Sequence, residues 1–458
     1  MQQRITSILL FSLLSFAGVL LVSLNGCGGS GSSSSAQKAS STQLEHVVVI
    51  VQENRTPDNL FHGLPNADIA NSGTNSLGQT IPLQPITLAN GYDLGHSHSD
   101  FELMYDNGTM DGADKVACDP GTTACPANPQ FQYVEPSDVA PYFQLAEQYS
   151  FGDRMFQTNQ GPSFPAHQFI LSGTSAPSAT SNLFVAENAS NGIDTTGCVS
   201  PATAWVWLID PSGQETSKIY PCFEHPTLTD LLQNAGVSWK YYTPSAGSAW
   251  TAPNAIQHIC APSNGQCEGA DWTNNVVLHN TQVLTDISSG NLPAVSWVIP
   301  TGQASDHAGY NNGSGPAWVA SIVNAVGNSS YWSSTAIFIT WDDWGGWYDH
   351  VAPPQVLVNC SQWGCGYIYG FRVPLIVVSP YAKSGYVSHI NHDFGSILKF
   401  VEETFGLPSL GYADAIADDL SDCFDYSQTP IQFRTIPAAL DAAHFLNDRS
   451  TPLDPDDD

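Results

Sequence analysis

Basic residues are scarce in this chain: 12 Lys and Arg stand against 42 Asp and Glu, a formal net charge of −30. A surface of that sign repels a polyanion, which excludes nucleic acid as a partner. The excess of carboxylates reads either as a solubility device of an exported protein or as tolerance of acidic surroundings, where many carboxylates become neutral. No CxxC pair with a matching partner occurs, so a zinc ribbon is excluded. From Glu45 onward there is no internal repeat and no clean linker, which argues for one continuous domain. Apolar material, by contrast, is plentiful. Of 458 residues, 42% are hydrophobic and 11% aromatic, enough for a sizeable core and too much for a disordered chain.

The N-terminus reads as a processing signal. Arg4 precedes an apolar run from Ile5 to Leu24, followed by Asn25-Gly26-Cys27. A basic start, an apolar stretch and a small residue before the break describe a secretory signal over residues 1–27. Leu24-Asn25-Gly26-Cys27 resembles a bacterial lipoprotein box, in which Cys27 carries the lipid and anchors the chain to the cell envelope. The alternative is an uncleaved membrane helix. Residues 28–44 are rich in Gly and Ser and read as a flexible tether, and residues 451–458 as an acidic tail. The other cysteines agree with export. Cys118 and Cys125, Cys198 and Cys222, Cys260 and Cys267, and Cys360 and Cys365 form four local pairs suited to an oxidising compartment. Cys423 is left over, either free and buried or paired non-locally.

Between the ends, β-branched runs alternate with helical patterns. Continuous apolar runs at His46–Val51, Ala294–Ile299, Ala336–Trp341 and Pro374–Val378 suit strands buried on both faces of a parallel sheet. Helical spacing appears in Thr227–Ala235, Pro316–Val326 and Asp393–Glu403. The expected fold class is α/β: a doubly wound, mostly parallel sheet with helices on both faces, filling residues 45–450. Gly63–Asn90 and Thr174–Tyr220 are expected as long loop excursions over one edge.

Chemistry gathers where the strands end. Ligands bind beyond the carboxyl ends of strands in open α/β sheets. Three buried runs finish in polar clusters: Glu53-Asn54-Arg55, Ser305-Asp306-His307, and Asp342-Asp343 with Asp349-His350 beyond. Adjacent carboxylates among tryptophans raise each other's pKa unless a cation lies between them. One divalent metal ion, of open identity, is the simplest such cation, with Glu53 and the Asn54 amide oxygen completing an oxygen shell. The bland reading is a solvated acidic turn. Ser163 follows Gly161-Pro162 at the start of a helical run. By default it is an N-cap, although the same place offers amide donors to an anionic phosphoryl group. His96, His98, His307, His350, His389 and His392 lie in polar contexts suited to phosphate oxygens or a leaving group.

At these residues the chain resembles the bacterial phosphoesterase family that contains phospholipases C and the respiratory-burst-inhibiting type of acid phosphatase. The matching segments are His46–Gly63, Asn107–Gly112, Gly161–Ser175, Ser305–His307, Thr340–Pro354 and Gly370–Tyr381, which together span most of the mature chain. The resemblance implies an alkaline-phosphatase-like fold. It also implies a metal held by Glu53, Asn54, Asp342, Asp343 and Ser163, with Ser163 as nucleophile. His307 and His350 would act in catalysis, while His98, His96 and Asn54 would bind substrate. Asp343 stands where Glu is common, and the Ser163 segment reads like the acid-phosphatase branch, since several phospholipases C carry Thr there. The expected function is therefore an exported, metal-dependent phosphoesterase of acid-phosphatase type working through a phosphoserine on a small phosphate ester. The alternative is a phospholipase C acting on phospholipid head groups. A rival of another class is a non-catalytic surface lipoprotein that binds glycans through its 12 Trp residues.

Overall fold

The computed structural model describes residues 43–190, 195–356, 364 and 366–448. The signal and lipoprotein box with Cys27, the tether up to residue 42, the Cys360–Cys365 pair and the acidic tail lie outside the described residues.

β-branched and aromatic runs build the central sheet. Its strands, in chain order, are β1 (His46–Gln52), β2 (Ser150–Phe156), β3 (Trp239–Tyr242), β4 (Val276–Val277), β5 (Val295–Val298), β6 (Thr335–Trp341), β7 (Arg372–Val378), β8 (Tyr386–Ser388) and β9 (His392–Asp393). The spatial order is β4-β3-β5-β1-β6-β7-β2-β8, with β9 also pairing with β2. β1 runs parallel to both β5 and β6, so the three expected polar clusters do share one edge. β7 pairs antiparallel with both β6 and β2, which turns β2 parallel to the rest. The fold is thus α/β with a mostly parallel sheet.

The helices are α1 (His98–Tyr105), α2 (Ala140–Gln148), α3 (Ser163–Ser172), α4 (Leu228–Asn234), α5 (Gln282–Ser288), α6 (Gly315–Gly327) and α7 (Phe394–Phe405). They cover both sheet faces. Phe338 and Trp341 point to opposite sides of β6 by strand alternation. Phe338 meets Phe400 of α7 at 4.9 Å between ring centroids, and Trp341 meets Tyr142 of α2 at 5.1 Å. α7 packs on α3, while α6 packs on α2 and α5. Sequence signals mark the ends. Pro316 opens α6, an Asp393/Ser396 capping box opens α7, and Gly406 closes α7 at φ 65°.

Both expected excursions carry strands of their own among the described residues. Residues 72–82 hold a small antiparallel pair, and Phe184–Val185, Val206–Ile209 and Glu215–Ile219 form a three-stranded sheet. Three of the four expected disulfides are present, Cys118–Cys125, Cys198–Cys222 and Cys260–Cys267; Cys423 is free and buried. Among the described residues, no helix is long and apolar enough to cross a membrane.

Candidate active site

Strand register places the first four polar residues. Gln52 pairs with Trp341 across β1 and β6, so Glu53-Asn54 and Asp342-Asp343 leave the sheet side by side. Ser163 arrives from the end of β2, as the first residue of α3 after a turn through Gly161-Pro162. Asn159 Nδ2 clasps that turn by donating to the carbonyls of Gly161 (2.8 Å) and Pro162 (3.2 Å). Gln157 joins the two loops, donating to Gly161 O at 3.1 Å and accepting from Trp344 N at 3.2 Å. Glycine is required at two close approaches. A Cβ on Gly161 would lie 2.0 Å from Ala186 O, and one on Gly345, whose φ is +61°, 2.5 Å from Asn54 O.

The five residues converge. Ser163 Oγ donates to Asp343 Oδ2 at 3.2 Å and lies 3.5 Å from Glu53 Oε2. Asp342 Oδ1 accepts the backbone N–H groups of Asn54 (3.0 Å) and Asp343 (2.7 Å), and Asp343 Oδ1 accepts that of Gly345 (2.7 Å). Asn54 adopts a left-handed φ of 62°. Its Nδ2 donates to His96 Nε2 at 2.9 Å, and His96 Nδ1 donates to Leu94 O at 2.7 Å. That chain fixes the amide so that Oδ1 is its remaining acceptor.

The sixth residue is His167, which lies within the segment Gly161–Ser175 and carries no assigned role there. It lies one helical turn beyond Ser163 on α3, and an i, i+4 spacing puts both on one face. Nε2 stands 3.3 Å from Glu53 Oε1 and 3.8 Å from Asp342 Oδ2. Burial pushes its imidazole down to about 4, so it is neutral. Burial, then the charges of Asp342 and Asp343, push the Glu53 carboxyl well above the carboxylate range. Burial opposes the Asp342 charge as well, but hydrogen bonding with Glu53 and the nearby His167 hold that carboxyl low.

Glu53, Asp342 and Asp343 are three fully buried carboxylates crowded at one spot. Asn54 Oδ1 and Asp342 Oδ2 are buried and have no hydrogen-bond partner among the described residues. Glu53, His167 and Asp342 bring one ligand atom each within 4.8 Å of one another. Orphaned oxygens beside carboxylates are the donor set of a hard divalent cation, so these residues fit the expected metal.

The remaining candidate histidines divide. The His307 ring stands 5.7 Å from that of His96, with Nδ1 donating to Ala308 O at 2.8 Å. His307 therefore stands next to His96, which holds the Asn54 amide. In His98, both ring nitrogens face backbone carbonyls, Gln160 O at 3.0 Å and Gly213 O at 2.7 Å. Those contacts dock the 174–220 excursion onto the serine turn and leave the imidazole no free nitrogen for substrate. His350 lies in another network: Nδ1 is 2.8 Å from Asp58 Oδ2, and Nε2 is 3.2 Å from Asp68 Oδ1. Arg372 joins that network through Asp349 Oδ1 at 2.7 Å and Asp58 Oδ1 at 3.3 Å. The geometry gives His350 a structural load and no contact with the Ser163 carboxylates. Asp306, from the second polar cluster, is also structural, accepting from Tyr142 and Trp341 at 2.9 Å each. At the start of α3, the Phe164 N–H is already taken by Asn188 Oδ1 at 2.9 Å, and Pro165 has none. The Ser163 N–H is thus the amide of that turn left for an anion.

A helix-borne serine facing buried carboxylates at the carboxyl edge of a mostly parallel sheet defines an α/β protein with a hydroxyl beside a cluster fit to hold a cation. Residues 44–408 match the model of the Phosphoesterase family, and the chain belongs to that family. It is 25% identical to "Non-hemolytic phospholipase C" of Burkholderia pseudomallei, over 86% of this chain and 61% of that protein. It is also 25% identical to "Phospholipase C B" of Mycobacterium tuberculosis, over 85% of this chain and 79% of the relative. The chain thus spans less than two thirds of the length of the Burkholderia relative. Among solved structures, an alkaline phosphatase superfamily protein from Vibrio parahaemolyticus aligns with a TM-score of 0.36 at 11% identity, covering 83% of this chain and 72% of that one. At that level the likeness adds nothing to the fold seen in the sheet itself.

Proposed function

We propose that this chain is an exported, metal-dependent phosphoric ester hydrolase that uses Ser163 as its nucleophile. The observation that carries the reading is the Ser163 hydroxyl at a helix start, 3.2 Å from Asp343 Oδ2 and 3.5 Å from Glu53 Oε2. Glu53, Asn54, Asp342 and Asp343, with Ser163, would hold the metal. A bound divalent cation would supply the positive charge that lets an anionic phosphoryl group approach three carboxylates. Asp343 Oδ2 is placed to take the Ser163 proton as Oγ bonds to phosphorus. The ester P–O bond to the alcohol breaks in line, leaving a phosphoserine. His307, next to His96, donates the proton that the departing alkoxide needs. Water then gives a proton back to His307 as its oxygen attacks phosphorus, the P–Oγ bond breaks, and Oγ takes its proton back from Asp343. The Ser163 N–H faces the charge that develops on the phosphoryl oxygens.

Two substrate classes fit this chemistry. The serine-bearing Gly161–Ser175 segment favours a monoester and acid-phosphatase type of reaction. The relatives named as phospholipases C favour the phosphodiester of a lipid head group. Three disulfides support export. The signal at residues 1–27 and lipidation of Cys27, followed by the tether, would hold the enzyme at the cell envelope near such substrates. Initial rates on p-nitrophenyl phosphate and p-nitrophenylphosphorylcholine, with and without chelator, separate the two classes. Ser163→Ala should lower turnover of the preferred ester by about a thousandfold or more while leaving the melting temperature intact. Retained turnover would refute the nucleophile, and hydrolysis of neither ester by the wild type would favour the glycan-binding reading.

A further inference from the structure

Cys423 is a buried free thiol, whereas the six other described cysteines are paired. Its neighbours are ligand groups. Cys423 Sγ lies 3.7 Å from Asp422 Oδ1, and the same oxygen lies 3.7 Å from His392 Nε2. The ligand atoms of His392, Asp422 and Cys423 all fall within 4.8 Å of one another. Donors bonded at about 2.0–2.3 Å to a tetrahedral zinc ion stand roughly 3.3–3.8 Å apart, so the trio is already close to ligand spacing.

The groups behind each donor have the pattern of a supporting shell. Asp418 Oδ1 is 3.0 Å from His392 Nδ1, the carboxylate contact that turns the Nε2 lone pair of an imidazole towards a metal. The hydroxyls of Ser388 and Tyr386 donate to Asp422 Oδ2, which leaves Oδ1 to face the cluster. Ser388 Oγ also stands 3.0 Å from His392 Nε2, where a fourth ligand belongs. His392, Cys423 and Ser388 are all buried, so substrate has no access to them.

We propose that His392, Asp422 and Cys423 form a second metal site, for a borderline-soft divalent ion of zinc type, structural in role and separate from the Ser163 site. The ion would bind β9 to the turn at Ser421–Cys423, which already meets the sheet edge through Lys383 N donating to Cys423 O at 2.9 Å and Ser150 Oγ donating to the same oxygen at 2.9 Å. The mixed sulfur, nitrogen and oxygen set separates this site from the sulfur-free Ser163 cluster, and a spectroscopic probe can read that difference. Metal-stripped full-length protein, titrated with cobalt(II), should develop a near-ultraviolet thiolate-to-cobalt charge-transfer band whose saturated intensity corresponds to one thiolate-bound ion per chain, the Ser163 site taking up cobalt without adding to it. Cys423→Ser should abolish the band while leaving any ester hydrolysis unchanged, and Asp422→Asn should weaken cobalt binding at the same site. The proposal is overturned if the wild type shows no such band, whatever the variants do, or if the band persists in Cys423→Ser.

Discussion

Ser163 and His167 share one face of α3, yet only the serine carried a sequence signal, through the Gly-Pro turn before it. His167 sits among apolar residues, where a buried imidazole reads as core. Its i, i+4 spacing from Ser163 was the clue available. Its Nε2, 3.3 Å from Glu53 Oε1, orients that carboxylate from outside the expected ligand set. His167→Ala should therefore weaken manganese binding by about 10–100-fold, read by calorimetry, because partners of this kind set ligand orientation. Unchanged affinity would make His167 a packing residue. The acidic pair, the Glu53-Asn54 pair and the serine were legible because each closes a buried strand or opens a helix. The surroundings of His350 were not legible in the sequence: an Asp-His dipeptide next to an acidic site looks the same whether or not, as here, its imidazole meets Asp58 and Asp68.

Among the strands, a buried apolar run declares itself but not its direction. β7 was visible as Pro374–Val378, and its antiparallel course was not, because residues buried on both faces look alike from either end. β2 was hidden, since Gly152, Asp153 and Arg154 interrupt its apolar pattern. Asp153 is tolerated there because it accepts from Asp68 N at 2.7 Å and pairs with His389 at 2.8 Å. β7 also delivers Arg372, fully buried, to Asp349 and Asp58. Arg372→Met should cost about 3–5 kcal/mol in denaturant unfolding, because it strands buried carboxylates without their partner. A loss below about 1 kcal/mol would mean that the network adds little to stability. Gly345→Ala, at the loop after β6, should lower both stability and activity, since the added methyl meets Asn54 where φ is +61°.

Taken as a whole, the molecule carries several buried acids tuned upward. Burial raises Asp393 to about 7 and both Glu187 and Glu402 to about 8. In the unfolded chain these groups release their protons near about pH 4. Between the two values the fold holds protons that the unfolded chain has lost, so stability falls as pH rises through that window. His258, raised to about 9 first by its hydrogen bond to Asp230, gives stability that is likewise lost as pH rises through that value. Asp58 and Asp68 are shifted down and act in the opposite sense, but only on acidification below about pH 4. Melting temperature should thus be higher at about pH 5 than at about pH 8, and Glu402→Gln should flatten the slope. A melting temperature that rises over that interval would contradict the assignment. Such a profile agrees with the acid-tolerant reading of the net charge of −30. On the proposed function, residues just beyond β1 and β6 and at the start of α3 hold one cation against one hydroxyl. Anomalous diffraction from crystals soaked in manganese and vanadate measures this most directly. The account predicts a manganese peak among Glu53, Asn54, Asp342 and Asp343, with vanadium bonded to Ser163 Oγ. Manganese bound elsewhere, or vanadium out of reach of that oxygen, would contradict it.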